Sequence, residues 1–179
     1  MKKVAVVLAN GFEEIEALTP VDVLRRASIT CDMVGLTGLE VEGSHGIKVQ
    51  ADKLFTGDLS AYDMIVLPGG MPGSVHLQNH TGLIAALQAA AKKDTYIAAI
   101  CAAPIVLEKA GLLADRRYTC YPGQEKTIAS GHHVSETVVV DATIVTSRGA
   151  GTALAFAYTL VDLIGGDGSS LARSMVYEQ

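Results

Sequence analysis

Along this chain, short runs that are apolar at every position alternate with longer stretches whose apolar residues recur at helical spacing. Val4 to Leu8, Met64 to Leu67 and Tyr96 to Ile100 are runs of the first kind. A strand is apolar throughout when both of its faces are covered, as inside a parallel sheet. Ile29 to Leu36 predicts a further strand, Ile47 to Ala51 a short strand or hairpin arm, and Tyr118 to Gly123 a short strand. Glu136 to Val140 and Thr143 to Thr146 are β-branched runs joined by Asp141-Ala142, which predicts a hairpin. Helices are predicted for Thr81 to Lys92, from Pro104 to near Gly111, for Thr152 to Ile164 and for Ser169 to Met175. Phe12 to Ala27 predicts a helical segment with Glu13, Glu14 and Glu16 at its amino end, where the helix dipole favours acids. Thr19-Pro20 resembles a second helix start, so a kink or break is expected near Leu18. Gly38 to Gly46 reads as a polar connection and Met71 to Asn79 as a loop.

Strands alternating with helices predict an α/β fold, a doubly wound and mostly parallel sheet. With no repeat, linker or low-complexity tract, residues 1–179 read as a single domain. Ligands of such sheets bind outside the carboxyl ends of the strands. Three features fall on that edge: Gly11 to Glu16, Pro68-Gly69-Gly70, and Cys101.

Composition narrows the partners. A formal charge of −5 argues against binding nucleic acid through a basic surface. Three cysteines, an odd number without a close pair, do not make a disulfide framework and suit a reducing cytosol. Met1-Lys2-Lys3 and the apolar run after it imitate the opening of a signal peptide, but the run is short and ends in Asn10-Gly11-Phe12-Glu13-Glu14. No apolar stretch reaches membrane-spanning length, so a cytoplasmic protein without a membrane partner is expected.

Cys101 stands where a strand ends and a helix begins, with alanine at 99, 102 and 103 leaving the corner uncrowded. Unpaired N–H groups and the helix dipole favour an anion there, so the thiol is expected to ionise more readily than a free one. A buried structural cysteine remains the competing reading. Glu16 is the candidate partner. A carboxylate beside a thiolate raises both pKa values, so the pair works if it shares one proton. Glu13 and Glu14 read as exterior acids. The glycines of Pro68-Gly69-Gly70 would let N–H groups reach a substrate oxygen and, with Ala102, form an oxyanion hole. Ser147-Arg148-Gly149-Ala150-Gly151-Thr152 lacks the third glycine and following acid of a dinucleotide site and reads as a turn with Arg148 at the pocket rim. His76 and His80 read as surface groups, His132-His133 as a solvated loop pair, Cys31 as core, and Cys120 as a residue near the pocket. Two adjacent histidines with a distant cysteine do not have standard zinc-ligand spacing.

Together these segments resemble the ThiJ/PfpI superfamily, in particular the branch with the parkinsonism-associated deglycase and its YajL-like bacterial relatives. The resemblance rests on Gly11-Phe12-Glu13-Glu14-Ile15-Glu16, Pro20-Val21-Asp22-Val23, Val66-Leu67-Pro68-Gly69-Gly70, Ala98-Ala99-Ile100-Cys101-Ala102-Ala103-Pro104 and Thr146-Ser147-Arg148-Gly149-Ala150-Gly151-Thr152, in register over nearly the whole chain. It implies a flavodoxin-like three-layer sandwich and a homodimer. It also implies an oxidation-sensitive Cys101 paired with Glu16, with amides from Gly70 and Ala102. Glyoxalase, deglycase, chaperone and oxidative-stress roles, with small aldehyde substrates and no cofactor, come with it. The chain departs from relatives that carry a histidine near the cysteine, since Cys120-Tyr121-Pro122 stands at the T-H-P position. Ala102 replaces the histidine of the protease branch and no H-x-E follows, which argues against a peptidase or a glutaminase. His45 stands where some relatives have an arginine near the dimer contact.

Overall fold

In the computed structural model, which describes residues 2–177, the apolar runs are the middle of one sheet. In chain order the elements are β1 (Lys3–Leu8), α1 (Glu14–Arg26), β2 (Thr30–Gly35), β3 (Glu40–Glu42), β4 (Lys48–Gln50), β5 (Lys53–Leu54), β6 (Met64–Leu67), α2 (Gly73–Asn79) and α3 (Thr81–Ala91). They continue with β7 (Tyr96–Ile100), α4 (Pro104–Lys109), β8 (Arg117–Tyr118), β9 (His132–His133), β10 (Val138–Asp141), β11 (Ile144–Ser147), α5 (Ala153–Leu163) and α6 (Gly168–Ser174). The large sheet runs β10-β11-β7-β6-β1-β2-β5, parallel except where β10 pairs antiparallel with β11 in the predicted hairpin. Two small ladders, β3 with β4 and β8 with β9, lie outside it.

Alternation along each strand sorts the core into two layers. Ala5, Val7, Ile65, Leu67, Ile97 and Ala99 pack with Leu77 of α2, Leu83 and Leu87 of α3 and Val106 of α4. Val4, Val6, Leu8, Met64, Val66, Ala98 and Ile100 pack with Ala17, Val21 and Leu24 of α1 and Phe156 and Leu160 of α5. The result is the expected three-layer α/β sandwich. Among the described residues, no helix is long and apolar enough to cross a membrane.

The structure corrects several expectations. α1 runs unbroken through Pro20. Proline removes the N–H that would bond the Glu16 carbonyl, but Ala17, Val21 and Leu24 stay on one buried face, and that packing outweighs one lost bond. Met71 to Asn79 is not all loop. α2 forms because Ser74 and Leu77 bury fully, the Ser74 N–H bonding Gly70 O at 2.9 Å. The polar connection holds β3, the partner of β4. His132-His133 is a strand rather than a solvated loop: it pairs with β8, and His132 N–H bonds Arg116 O at 2.7 Å.

Because β1, β6 and β7 are neighbours, their exits meet at one edge. Gly11, Gly70 and Gly73 make the meeting close. A Cβ on Gly11 would lie 2.5 Å from the Pro72 Cδ, and one on Gly70 would lie 2.4 Å from Glu13 N.

Candidate active site

Cys101 follows β7 directly and holds φ +64°, in the left-handed region. That conformation costs about 1–2 kcal/mol in a non-glycine residue and turns the chain sharply from strand toward α4. The backbone is clamped on both sides: Cys101 N–H donates to Ser147 O at 3.0 Å, and Cys101 O accepts from Tyr121 N–H at 2.9 Å. The sulfur faces the N–H groups of Ala102 and Gly70.

Glu16 reaches the same point from the first turn of α1. Its residue is only 1% exposed, its carboxyl meets the Cys101 thiol, and Oε2 accepts from Gly69 N–H at 2.9 Å. Glu13, the N-cap of α1, accepts from Glu16 N–H at 2.8 Å and fixes the turn that delivers it. Gly69 has no room for a side chain. A Cβ there would lie 2.4 Å from Glu16 Oε2 and 2.7 Å from the Cys101 Cβ. Gly69→Ala should therefore displace the acid and destabilise the fold by about 1–3 kcal/mol. A thermal melt within a degree of the parent would refute so tight a contact.

Burial pushes the Glu16 carboxyl up to about 7, and the nearby Glu13 carboxylate adds to it, against the hydrogen bonds from Cys101 and Gly69. The Cys101 thiol is pushed up to about 12 by burial first, then by the charge and hydrogen bond of Glu16, while the Ala102 and Gly70 N–H groups pull it down. The expectation of a more acidic thiol from the strand-helix corner alone is thus corrected. α4 is six residues long, and its dipole does not offset burial beside a carboxylate. The two groups act as a unit: both are raised, and the pair shares one proton. When that proton sits on Glu16, Cys101 is a thiolate held by a donor carboxyl and two amides.

Residues 2–163 match the model of the DJ-1/PfpI family. The chain belongs to the DJ-1/PfpI family. It is 35% identical over 167 residues to the zebrafish Parkinson disease protein 7 homolog, covering 90% of this chain and 88% of that one. It is 40% identical over 169 residues to Arabidopsis thaliana protein DJ-1 homolog B, covering 90% of this chain but only 38% of that longer protein. Among solved structures, Drosophila melanogaster DJ-1beta superposes with a TM-score of 0.95 at 33% identity, over 99% of both chains. A structure described as Toxoplasma gondii DJ-1, oxidized, gives 0.95 at 33% identity, over all of both chains. The family resemblance and the flavodoxin-like sandwich read from the sequence are borne out.

The other residues singled out in this DJ-1/PfpI chain lie around or away from the pair. Gly69 lines the site, but its N–H is spent on Glu16, leaving Gly70 and Ala102 as the amides on sulfur. Tyr121 is 55% exposed, and its ring and Glu16 both approach Gly149, where a Cβ would stand 3.6 Å from the ring and 4.0 Å from Glu16 Oε1. Arg148 precedes that glycine and is half-buried. His45 binds Glu14, not the cysteine, with Nδ1 2.9 Å from Glu14 Oε2.

Glu14 is the residue that sequence reasoning misplaced. It is 5% exposed and not an exterior acid. Burial alone would raise its carboxyl, but hydrogen bonds from the His45 ring, its own N–H and those of His45 and Ile47 hold it below the usual range. It latches the Ser44–Ile47 turn onto the start of α1. Cys31 is core, as expected, and burial pushes its thiol up to about 12. Cys120 is fully buried, and its thiol is pushed up to about 11, again by burial first.

Proposed function

We propose that this DJ-1/PfpI protein is a cofactor-free enzyme of glyoxalase or deglycase type that acts on small α-oxo-aldehydes. Cys101 is its nucleophile and Glu16 its proton carrier. The observation that carries the reading is the Glu16 carboxyl in hydrogen-bond contact with a thiol whose sulfur also faces two backbone amides. Thiolate attack on the aldehyde carbon of methylglyoxal forms a hemithioacetal, and the Gly70 and Ala102 N–H groups stabilise the developing oxyanion. Glu16 gives its shared proton to that oxyanion. Now a carboxylate, it takes the proton from the same carbon and returns it to the neighbouring carbon, while the new hydroxyl's proton passes to the neighbouring oxygen. The product is a thioester of lactate. Water cleaves it, restoring the thiol and releasing the hydroxy acid, so the sum is methylglyoxal plus water to lactate. Tyr121 and Gly149 stand beside Glu16, and Arg148 is proposed with them at the pocket rim. Purified protein incubated with methylglyoxal, with lactate measured directly, tests this. No lactate above the buffer rate from folded protein with a free Cys101 thiol would end it.

A second reading has its own support. The donors that hold a thiolate would also hold the oxygens of a sulfinate, and one similar structure is described as oxidized. In that reading Cys101 oxidation is the signal in an oxidative-stress or chaperone role, and turnover is incidental. Intact mass after mild peroxide should show oxygen on Cys101 before Cys31 or Cys120, whose thiols are buried. The reverse order would remove the reading. A homodimer in the cytoplasm, with His45 near the partner's pocket, belongs to either reading. Analytical ultracentrifugation giving a monomer mass would remove the dimer.

A further inference from the structure

Behind the Cys101 elbow lies a second group of chemistry-bearing side chains that the proposed reaction does not use. Cys120 follows β8, Glu125 lies in the 3-10 turn Gln124–Thr127, and His133 lies in β9. One ligand atom from each comes within 4.8 Å of the others. The fold builds this meeting. β8 and β9 run parallel, and Gly131 at φ +79° makes the return so tight that a Cβ would stand 2.7 Å from Leu113 O. The Cys120 sulfur accepts from the Glu125 N–H, and one group of the cluster is left unfinished by protein partners. Cys120 is fully buried, and His133 Nε2 is buried with no hydrogen-bond partner. A buried imidazole nitrogen left unsatisfied costs about 1–3 kcal/mol, which a ligand would recover.

We propose that Cys120, Glu125 and His133 form a binding site for one borderline-soft divalent cation of the Zn²⁺ type. A thiolate, an imidazole and a carboxylate are the donor set that suits zinc, leaving a fourth position for water. Donors around tetrahedral zinc stand about 3.3–3.8 Å apart, so the set closes by at most about 1.5 Å on binding. The exposed turn around Gly123 supplies that movement, because Glu125 is tied to it through Gly123 N–H to Oε2 at 2.7 Å. Thiolate and carboxylate together neutralise the dication. The Arg148 guanidinium, close enough to favour the Cys120 thiolate, opposes part of the added charge. The other cluster with metal-donor spacing among the described residues, Glu13, Glu14 and His45, differs. Its buried carboxylate accepts from the His45 and Ile47 N–H groups and the Ser44 hydroxyl, and it has no buried unpartnered nitrogen like His133 Nε2. Tyr121, next to Cys120, donates its N–H to Cys101 O, so the cation would brace the strip that holds the elbow.

The test uses the full chain carrying Cys101→Ala, which removes the competing thiol without touching the site. After chelator treatment it should take up one equivalent of Zn²⁺ in competition with a chromophoric chelator, and Co²⁺ should give a thiolate charge-transfer band in the near ultraviolet. Adding Cys120→Ser should abolish that band. His133→Gln should weaken Zn²⁺ binding by about 100-fold, since even outer partners of a metal are worth about 10–100-fold. Failure of the Cys101→Ala chain to bind Zn²⁺ would overturn the proposal without any change at the site itself. So would Co²⁺ binding without the thiolate band, or undiminished affinity in folded His133→Gln protein.

Discussion

Cys101→Ala should reduce lactate formation from methylglyoxal to the rate in buffer. The other parts of the site survive this change: Glu16 keeps its bond from Gly69, and the Gly70 and Ala102 amides stay in place. What disappears is the atom that bonds the aldehyde carbon, and no neighbour replaces it. Cys31 is buried in β2, and Cys120 is enclosed behind the elbow with its thiol pushed up to about 11. Cys31→Ser should accordingly leave turnover near the parent value. Residual lactate formation by Cys101→Ala above a tenth of the parent rate would remove the cysteine from the chemistry.

Glu16→Gln should separate activity from stability. Glutamine keeps the shape, accepts from Gly69 N–H and donates to sulfur, but carries no proton between carbons. Turnover should fall by about 10²–10⁴-fold, the usual contribution of a positioned acid or base. The thiol itself should become easier to ionise, because the charge and hydrogen bond of Glu16 that push it up are gone. A pH profile of Cys101 alkylation should move to lower pH while lactate formation collapses. Stability should move the other way from activity. The Glu16 carboxyl binds its proton more tightly in the folded chain, at about 7, than at its ordinary 4.5. Below the ordinary value it is protonated in both states and no penalty applies. As pH rises through about 7, the folded chain must ionise a buried acid, and stability falls by about 3 kcal/mol. Glu16→Gln removes that loss, so its urea midpoint should exceed the parent's at pH 8 and match it near pH 4.5. Equal midpoints at both pH values would show that Glu16 carries no such strain. Unchanged lactate formation would show that it is not the proton carrier.

The central strands were legible because complete burial leaves a mark that needs no knowledge of neighbours: Met64–Leu67 and Tyr96–Ile100 are apolar at every position. Their order did not follow from the sequence: the carboxyl edge was legible as the place where Glu16 and Cys101 could meet, but that β6 stands between β1 and β7 comes from the structure. Other features escaped for physical reasons. α2 carries Gly73, Ser74 and His76, residues that read as loop until Gly70 and the core give Ser74 and Leu77 a place. Glu14 looked exterior because its partners lie about thirty residues downstream, on a turn that helical periodicity does not see. The acidity of Cys101 was misjudged because the local helix dipole is visible in sequence, whereas the depth of burial beside Glu16 is not. His133 read as half of a solvated pair: its Nε2 becomes enclosed only through the parallel ladder with β8.

The order β7-β6-β1 has a consequence for the newly made chain. Glu16, Gly70 and Cys101 belong to segments that are far apart along the polypeptide and become neighbours only when both parallel ladders of β6 are in place. Parallel pairings of this range close late, after their loop entropy has been spent. Until then Cys101 is an ordinary solvated thiol with ordinary acidity, open to any oxidant or alkylating agent. The protected proton-sharing pair is therefore a property of the finished tertiary structure. Quenched-flow alkylation of this one sulfur would time the docking of the three central strands during refolding.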